Sequence, residues 1–239
     1  MKYTNLIEKF DEGLILIWQD EWEKHHPRKS HYVTDISLTT EHGIVGSCLR
    51  KQFYDWKEYK PTDLNPTRIL YTEVGKILHK HLFKRVFERA GLKVEDELEL
   101  ENRIDILHYP VHGRIDQIIN NSIMLEIKTT QGKGITNKHF GVKYNGAKET
   151  QKIQLAYYRD YWKDAFEEYV FFFFGRDNFY RTAFLLDDRE EYDWNAAYVR
   201  WHELEYYLKR NVLPLPDYDT EKFPCSWCIY QSQCKKDSV

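Results

Sequence analysis

The chain has 239 residues, 42% hydrophobic and 31% charged, which suits a soluble protein with one substantial core; no apolar run is long enough to span a bilayer. Residues 1–20 mix charge into their apolar positions, unlike a secretory signal, so the cytoplasm is the expected compartment. A net charge of -3 is mildly repulsive to phosphate, so any affinity for nucleic acid has to come from a local basic surface or a bound cation.

Hydrophobic spacing predicts helices over 6–22, 45–56 and 68–90, then strand-like segments over 92–119 and on through 129. Within that region 113–119 and 122–129 are rich in Ile, Leu and Met and flank Asn120-Asn121, a turn pair, which predicts a hairpin. The Gly- and Lys-rich stretch 131–148, with Tyr144 and Asn145-Gly146, has no hydrophobic period and reads as a long surface loop. A helix over 149–162 follows. Residues 169–174, Tyr-Val-Phe-Phe-Phe-Phe, read as a buried strand. Residues 179–186 are its partner across the Arg176-Asp177-Asn178 turn, and 190–209 a closing helix. No internal repeat is visible. This order predicts one α/β domain with a mixed sheet covered by helices. Within it, residues 1–90 form a helical N-terminal region, residues 91–187 the core, and residues 188–239 a helix with a tail. Aromatic residues, 16% of the chain, could supply stacking platforms for bases, but Phe171 to Phe174 are more simply core.

The hairpin carries the most pointed chemistry. Strand alternation puts Glu126 and Lys128 on one face, with Asp116 in reach from the neighbouring strand. Two carboxylates and an ammonium converging there suit magnesium or manganese, with the lysine holding or activating an attacking water. An acid-x-base triplet arises by chance about five or six times in a chain of this composition, so the surrounding residues have to carry the assignment. Gly75 and His79 share one side of a predicted helix, where a metal would fit, although a single histidine is more often an ordinary surface residue. Gln154 and Tyr158, four apart on the helix after the Glu126 strand, are placed to grip a phosphate or orient a base.

The four cysteines form a set. Cys225-x-x-Cys228 and Cys234 lie in a Pro-containing tail, and Cys48 is the one remaining cysteine. In a cytoplasmic chain this points to zinc or an iron–sulfur cluster, which the spacing does not separate; either would clip the tail to the N-terminal region. Lys133, Lys138, Lys143 and Lys148 recur every five residues in the 131–148 stretch, a candidate surface for a substrate strand or simply a solvated loop.

Taken together, Gly75-x-x-x-His79, Gly113-Arg114-Ile115-Asp116, Glu126-Ile127-Lys128, Gln154-x-x-x-Tyr158 and the complete cysteine set resemble the PD-(D/E)XK nuclease superfamily, in its RecB-like exonuclease branch with a four-cysteine iron–sulfur cluster. The segment from Ser47-Cys48 to Tyr54 looks like that branch's first-cysteine segment. Relatives of this shape include CRISPR-associated RecB-like nucleases, the nuclease domain of AddB and phage exonucleases. The resemblance implies a restriction-endonuclease-like core. It implies a catalytic magnesium or manganese held by His79, Asp116, Glu126 and the Ile127 carbonyl, and a water positioned by Lys128. It also implies that Gln154 and Tyr158 contact the nucleic acid and that Cys48, Cys225, Cys228 and Cys234 ligate a 4Fe-4S cluster. Arg114-Ile115 stands where the superfamily's name writes a proline.

The implied activity is a metal-dependent DNA exonuclease acting on single strands or free ends, with partners in recombination, repair, phage replication or CRISPR adaptation. Two alternatives are a non-catalytic DNA-binding or assembly subunit with a structural cluster, and a zinc-stapled endonuclease of restriction type.

Overall fold

The computed structural model describes residues 3–24, 27–40, 43–139, 141–187, 189, 191–222 and 224–238, with side chains from residue 8 onward. In chain order these are α1 (Tyr3–Lys24), β1 (His31–Tyr32), β2 (Ser37–Thr40), β3 (Gly43–Gly46), α2 (Leu49–Trp56) and α3 (Pro66–Ile77). A π-helical stretch (Leu78–Phe83) leads into α4 (Lys84–Arg89), followed by β4 (Val94–Asn102), β5 (Val111–Ile119) and β6 (Ile123–Thr130). The chain continues through α5 (Gly132–Thr136), α6 (Val142–Asn145), α7 (Glu149–Tyr161), β7 (Glu168–Gly175), β8 (Arg181–Leu185), α8 (Trp194–Arg210) and α9 (Gln231–Lys236).

The central sheet is mixed. β4 runs antiparallel along one edge of β5, β6 lies antiparallel on its other edge, β7 is parallel to β6, and β8 is antiparallel to β7. The predicted hairpin turns through Asn120 (φ 52) and Asn121 (φ 61), two left-handed residues at the centre of a turn in which Ser122 N donates to Ile119 O at 3.1 Å, with strand pairing beginning at Ile119 and Ile123.

The edge of β5 that faces β6 forks. Pairing with β6 covers only Gln117 to Ile119, while β1 pairs in parallel with Val111 and His112. Arg114 and Asp116 lie between these two partners.

Both faces of the sheet are covered. Phe171 and Phe173 join the main core with Ile115, Met124, Leu155 and Trp201, whereas Phe172 and Phe174 pack on the other side with Phe83, Ile127 and Leu125. A strand buried on both faces loses the two-residue alternation, which accounts for its unbroken aromatic run. A third cluster joins Leu49, Phe53 and Tyr54 of α2 to Leu204, Tyr230 and Cys234, so the tail docks on α2. No helix among the described residues is long and apolar enough to cross a membrane.

Four predicted elements change. The expected helix over 45–56 begins only at Leu49, because Ile44 and Val45 pair with Thr39 and Leu38 in a β-hairpin. The 68–90 helix is α3, the π stretch and α4 in succession, with Asn65 capping the start by accepting from Arg68 N at 3.2 Å. The stretch 131–148 is not a surface loop: α5 and α6 form in it, and Ile135, Val142 and Ala147 are buried. Their isolated apolar residues anchor single turns, too short to register as a period. The closing helix starts at Trp194, capped by Asp193, and Glu190 lies outside the described residues.

Candidate functional site

Alternation along β6 turns Met124, Glu126 and Lys128 toward α7, and Leu125 and Ile127 toward the opposite core. At the fork two side chains take the place of missing strand pairing. Asp116 Oδ2 accepts from Ile127 N at 2.7 Å, and the Tyr158 hydroxyl accepts from Arg114 N at 3.1 Å while donating to Arg114 O at 3.0 Å. Gly113 admits Tyr158: a Cβ there would stand 2.7 Å from the Tyr158 ring. Gly75 does the same for α3, where a Cβ would meet Thr129 Oγ1 at 2.9 Å. One turn further on, His79 Nδ1 reaches Asp116 Oδ1 at 3.3 Å. His79 falls within the π stretch, a winding often found where a helix carries a functional residue.

Glu126 is 2% exposed. Its Oε1 pairs with the Lys128 ammonium, while its Oε2 is buried without a hydrogen-bond partner among the described residues. Lys128 Nζ also donates to Gln154 Oε1 at 3.0 Å. Burial, with the nearby Asp116 charge, pushes the Glu126 carboxyl up to about 7 against the pull of Lys128 and His79. Burial acts to lower Lys128, but the Glu126 and Asp116 carboxylates outweigh it and hold the ammonium above its ordinary value. This setting favours the protonated lysine.

One cavity of about 260 Å³ is lined by His79, Asp116, Glu126, Ile127, Lys128, Gln154 and Tyr158, so four segments of the chain bring seven residues singled out in the sequence to one place. Tyr32, Val33, Thr34 and His112 also line it. Tyr32, Val33 and Thr34 carry no sequence signal because β1 and the turn after it reach the site only through the pairing with β5, whereas His112 lies on β5 itself, next to the Gly113–Asp116 run. Among the described residues no group of three or more His, Cys, Asp or Glu side chains stands converged as around a metal ion. The Glu126 Oε2 nevertheless fits one: it is a hard oxygen donor, buried, and without a hydrogen-bond partner among the described residues.

The four cysteines are free thiols that all line a second cavity of about 320 Å³. Burial pushes Cys225 up to about 11, reinforced by Cys48, Cys228 and Cys234. Around them buried polar contacts fix the tail to α2. Arg50 donates to Pro214 O at 2.6 Å and Ser238 Oγ at 2.7 Å, Tyr54 to Asp237 Oδ2 at 2.7 Å, and Tyr230 to Asp55 Oδ1 at 2.7 Å. The joining of N-terminal region and tail is thus built from packing and hydrogen bonds in the described residues. A pocket holding four thiols fits a thiolate-bound metal group by its donor set.

The lysines of 131–148 divide. Lys133 and Lys148 line a groove beside Lys128, whereas Lys143 turns onto Tyr144 and Tyr180, and Lys138 is exposed between α5 and α6.

No protein-family model matches the chain, and no curated protein matches it. Among solved structures, that of SSO0001 aligns over 98% of this chain and 98% of its own at 21% identity with a TM-score of 0.56, a shared fold along the whole length. An alkaline exonuclease from Laribacter hongkongensis aligns over 80% of this chain and 97% of its own at 15% identity, TM-score 0.45.

Proposed function

We propose that the chain is a metal-dependent deoxyribonuclease of the PD-(D/E)XK type, acting as an exonuclease on single-stranded DNA or free ends. The observation that carries this reading is the cavity at the sheet fork, where Glu126 presents a buried carboxylate oxygen without a hydrogen-bond partner among the described residues, beside Asp116, His79 and Lys128. His79, Asp116, Glu126 and the Ile127 carbonyl would hold magnesium or manganese. When bound, that cation supplies Lewis-acid charge at the scissile phosphate and a more acidic water. Lys128 adds fixed positive charge and orients the water, which suits its charged state better than proton abstraction. Gln154 holds the ammonium from the α7 side, and Tyr158 keeps the β5 edge open at Arg114. Two negative groups set in a largely buried site bind a cation more strongly than the same groups in water.

The cysteine pocket is proposed to hold a 4Fe-4S cluster through Cys48, Cys225, Cys228 and Cys234, locking the tail to α2. Partners in recombination, repair, phage replication or CRISPR adaptation belong to the same reading, as does a cytoplasmic setting.

The experiment is incubation of anaerobically purified protein with magnesium or manganese and end-labelled linear and circular DNA. Linear DNA should be degraded, circular DNA spared, and Glu126→Ala or chelator should stop the reaction. Cutting of circular DNA would replace the exonuclease by an endonuclease; intact DNA in every lane would overturn the catalytic reading in favour of a binding subunit.

A further inference from the structure

Beside the candidate site, between α3, the end of β6 and the cysteine-bearing tail, runs a groove of about 1200 Å³ that meets the Glu126 cavity at Lys128. Five cations line it, Arg68, Lys128, Lys133, Lys148 and Arg176, and no carboxylate. In a chain of net charge -3 this is a local reversal of sign. Arg68, Lys133, Lys148 and Arg176 make no salt bridge among the described residues. Arg176 Nε is in addition buried without a hydrogen-bond partner among the described residues.

Two aromatic rings stand in the same lining, each with a guanidinium over one face. Arg68 lies 4.2 Å from the Trp227 ring centroid, and Arg176 lies 4.6 Å from that of Tyr71. Each arginine is also tied to the backbone of its ring's residue, Arg68 Nη1 donating to Trp227 O and Arg176 Nη1 to Tyr71 O, both at 2.7 Å. The four side chains, drawn from three distant stretches of the chain, are therefore held in one arrangement. Trp227 is 62% exposed. An exposed tryptophan stabilises the fold little by burial, and Arg68 occupies only one of its faces.

Cations without salt-bridge partners among the described residues call for a polyanion, and open aromatic faces call for flat apolar groups. A single-stranded polynucleotide offers both, phosphates to the cations and unstacked bases to the rings. In a duplex the bases stack on each other and leave the rings without a partner, and an acidic peptide would use the cations alone.

We infer that this groove holds a single strand leading to Lys128, with Trp227 and Tyr71 stacking bases and Arg68 and Arg176 taking neighbouring phosphates. The destination of the strand rests on the nuclease reading; the binding of the strand does not. Trp227, at the centre of Cys225-Ser226-Trp227-Cys228, makes the cysteine tail a direct contributor to the substrate surface.

The test measures binding of labelled oligothymidylate, an RNA oligomer of matching length and a blunt duplex to Glu126→Gln protein over a salt series, with melting curves for every variant. Trp227→Ala should weaken single-strand binding on the order of 5- to 150-fold, Trp227→Phe should retain most of it, and duplex affinity should not change. Arg68→Gln and Arg176→Gln should each flatten the slope of log affinity against log salt by roughly 0.7. Lys143→Gln, outside the groove, should leave both intact. Should Trp227→Ala unfold, Tyr71→Leu on α3 takes its place with the same expected loss. Wild-type affinity in folded Trp227→Ala, or in folded Tyr71→Leu where Trp227→Ala unfolds, together with unchanged salt slopes in the arginine variants would overturn the proposal. A Glu126-intact protein that binds through these residues but cleaves nothing contradicts the nuclease reading alone, whereas cleavage with indifferent groove variants contradicts the groove alone.

Discussion

Asp116 and Ile127 are joined across the fork of the sheet, the Asp116 Oδ2 accepting from the Ile127 backbone N–H at 2.7 Å where β5 and β6 no longer pair. The carboxylate thus has two tasks, to bridge the strands and to bring negative charge to the Glu126 cavity. Asp116→Asn keeps an acceptor for Ile127 and removes the charge; it should lose activity roughly 10²–10³-fold with stability nearly unchanged. Asp116→Ala removes both and should in addition lower unfolding free energy by about 1–2 kcal/mol. Nuclease rates and urea titrations on both variants separate the tasks; equal activity in wild type and Asn variant would refute the assignment.

Gln154 touches the site through Lys128, at 3.0 Å. In the proposed site this contact positions the ammonium. Gln154→Ala should lower kcat on the order of fivefold to tenfold, the worth of one hydrogen bond, with KM little changed. Gln154→Glu, able to hold the ammonium, should recover much of the loss. A KM effect with constant kcat would mean that Gln154 binds substrate directly.

The Tyr158 hydroxyl serves both Arg114 N and Arg114 O on the strand edge left open between β1 and β6. Tyr158→Phe leaves a buried donor and acceptor unmatched and should cost about 1–3 kcal/mol of stability. Hydrogen exchange at Arg114 should accelerate; protection equal to wild type would show that the hydroxyl does not hold the edge.

Asp55 makes stability acid-sensitive. Burial acts to raise its carboxyl, but Lys51 and Arg28, with hydrogen bonds from Lys51 and Tyr230, outweigh it and hold it below the ordinary 3.8. A carboxylate lowered on folding stabilises fully above the unfolded value and loses that contribution as pH falls through the folded one. Urea midpoints should therefore decline below about pH 4, and Asp55→Asn should be less stable than wild type at neutral pH by roughly 3–5 kcal/mol, with a flatter acid limb. Parallel acid limbs in the two proteins would exclude Asp55 as the source.

The cysteine pocket predicts a coloured protein. Anaerobic preparations should contain iron and inorganic sulfide with broad visible absorption, and Cys228→Ala should lose the iron and melt earlier, since metal binding is coupled to folding. Colourless protein carrying zinc would reassign the pocket to a tetrathiolate zinc site.

The hairpin around Asn120-Asn121 is legible in the sequence because a two-residue turn and strand alternation are set by neighbours a few positions apart. For the same reason Glu126 and Lys128 fall on one face whatever the rest of the fold. The 131–148 stretch misleads, since Ile135 and Val142 are buried by contacts far along the chain and not by a local period.

By itself, then, the sequence determined the mixed α/β order, the strand faces and the grouping of four thiols, all consequences of short-range geometry and composition. Tertiary structure alone decided that pairing stops at Gln117, that His79 meets Asp116, that Glu126 Oε2 is buried without a hydrogen-bond partner among the described residues, and that Arg68 lies on Trp227. Each of these depends on which distant segments close on one another, and that choice is made by burial and packing summed over the whole core.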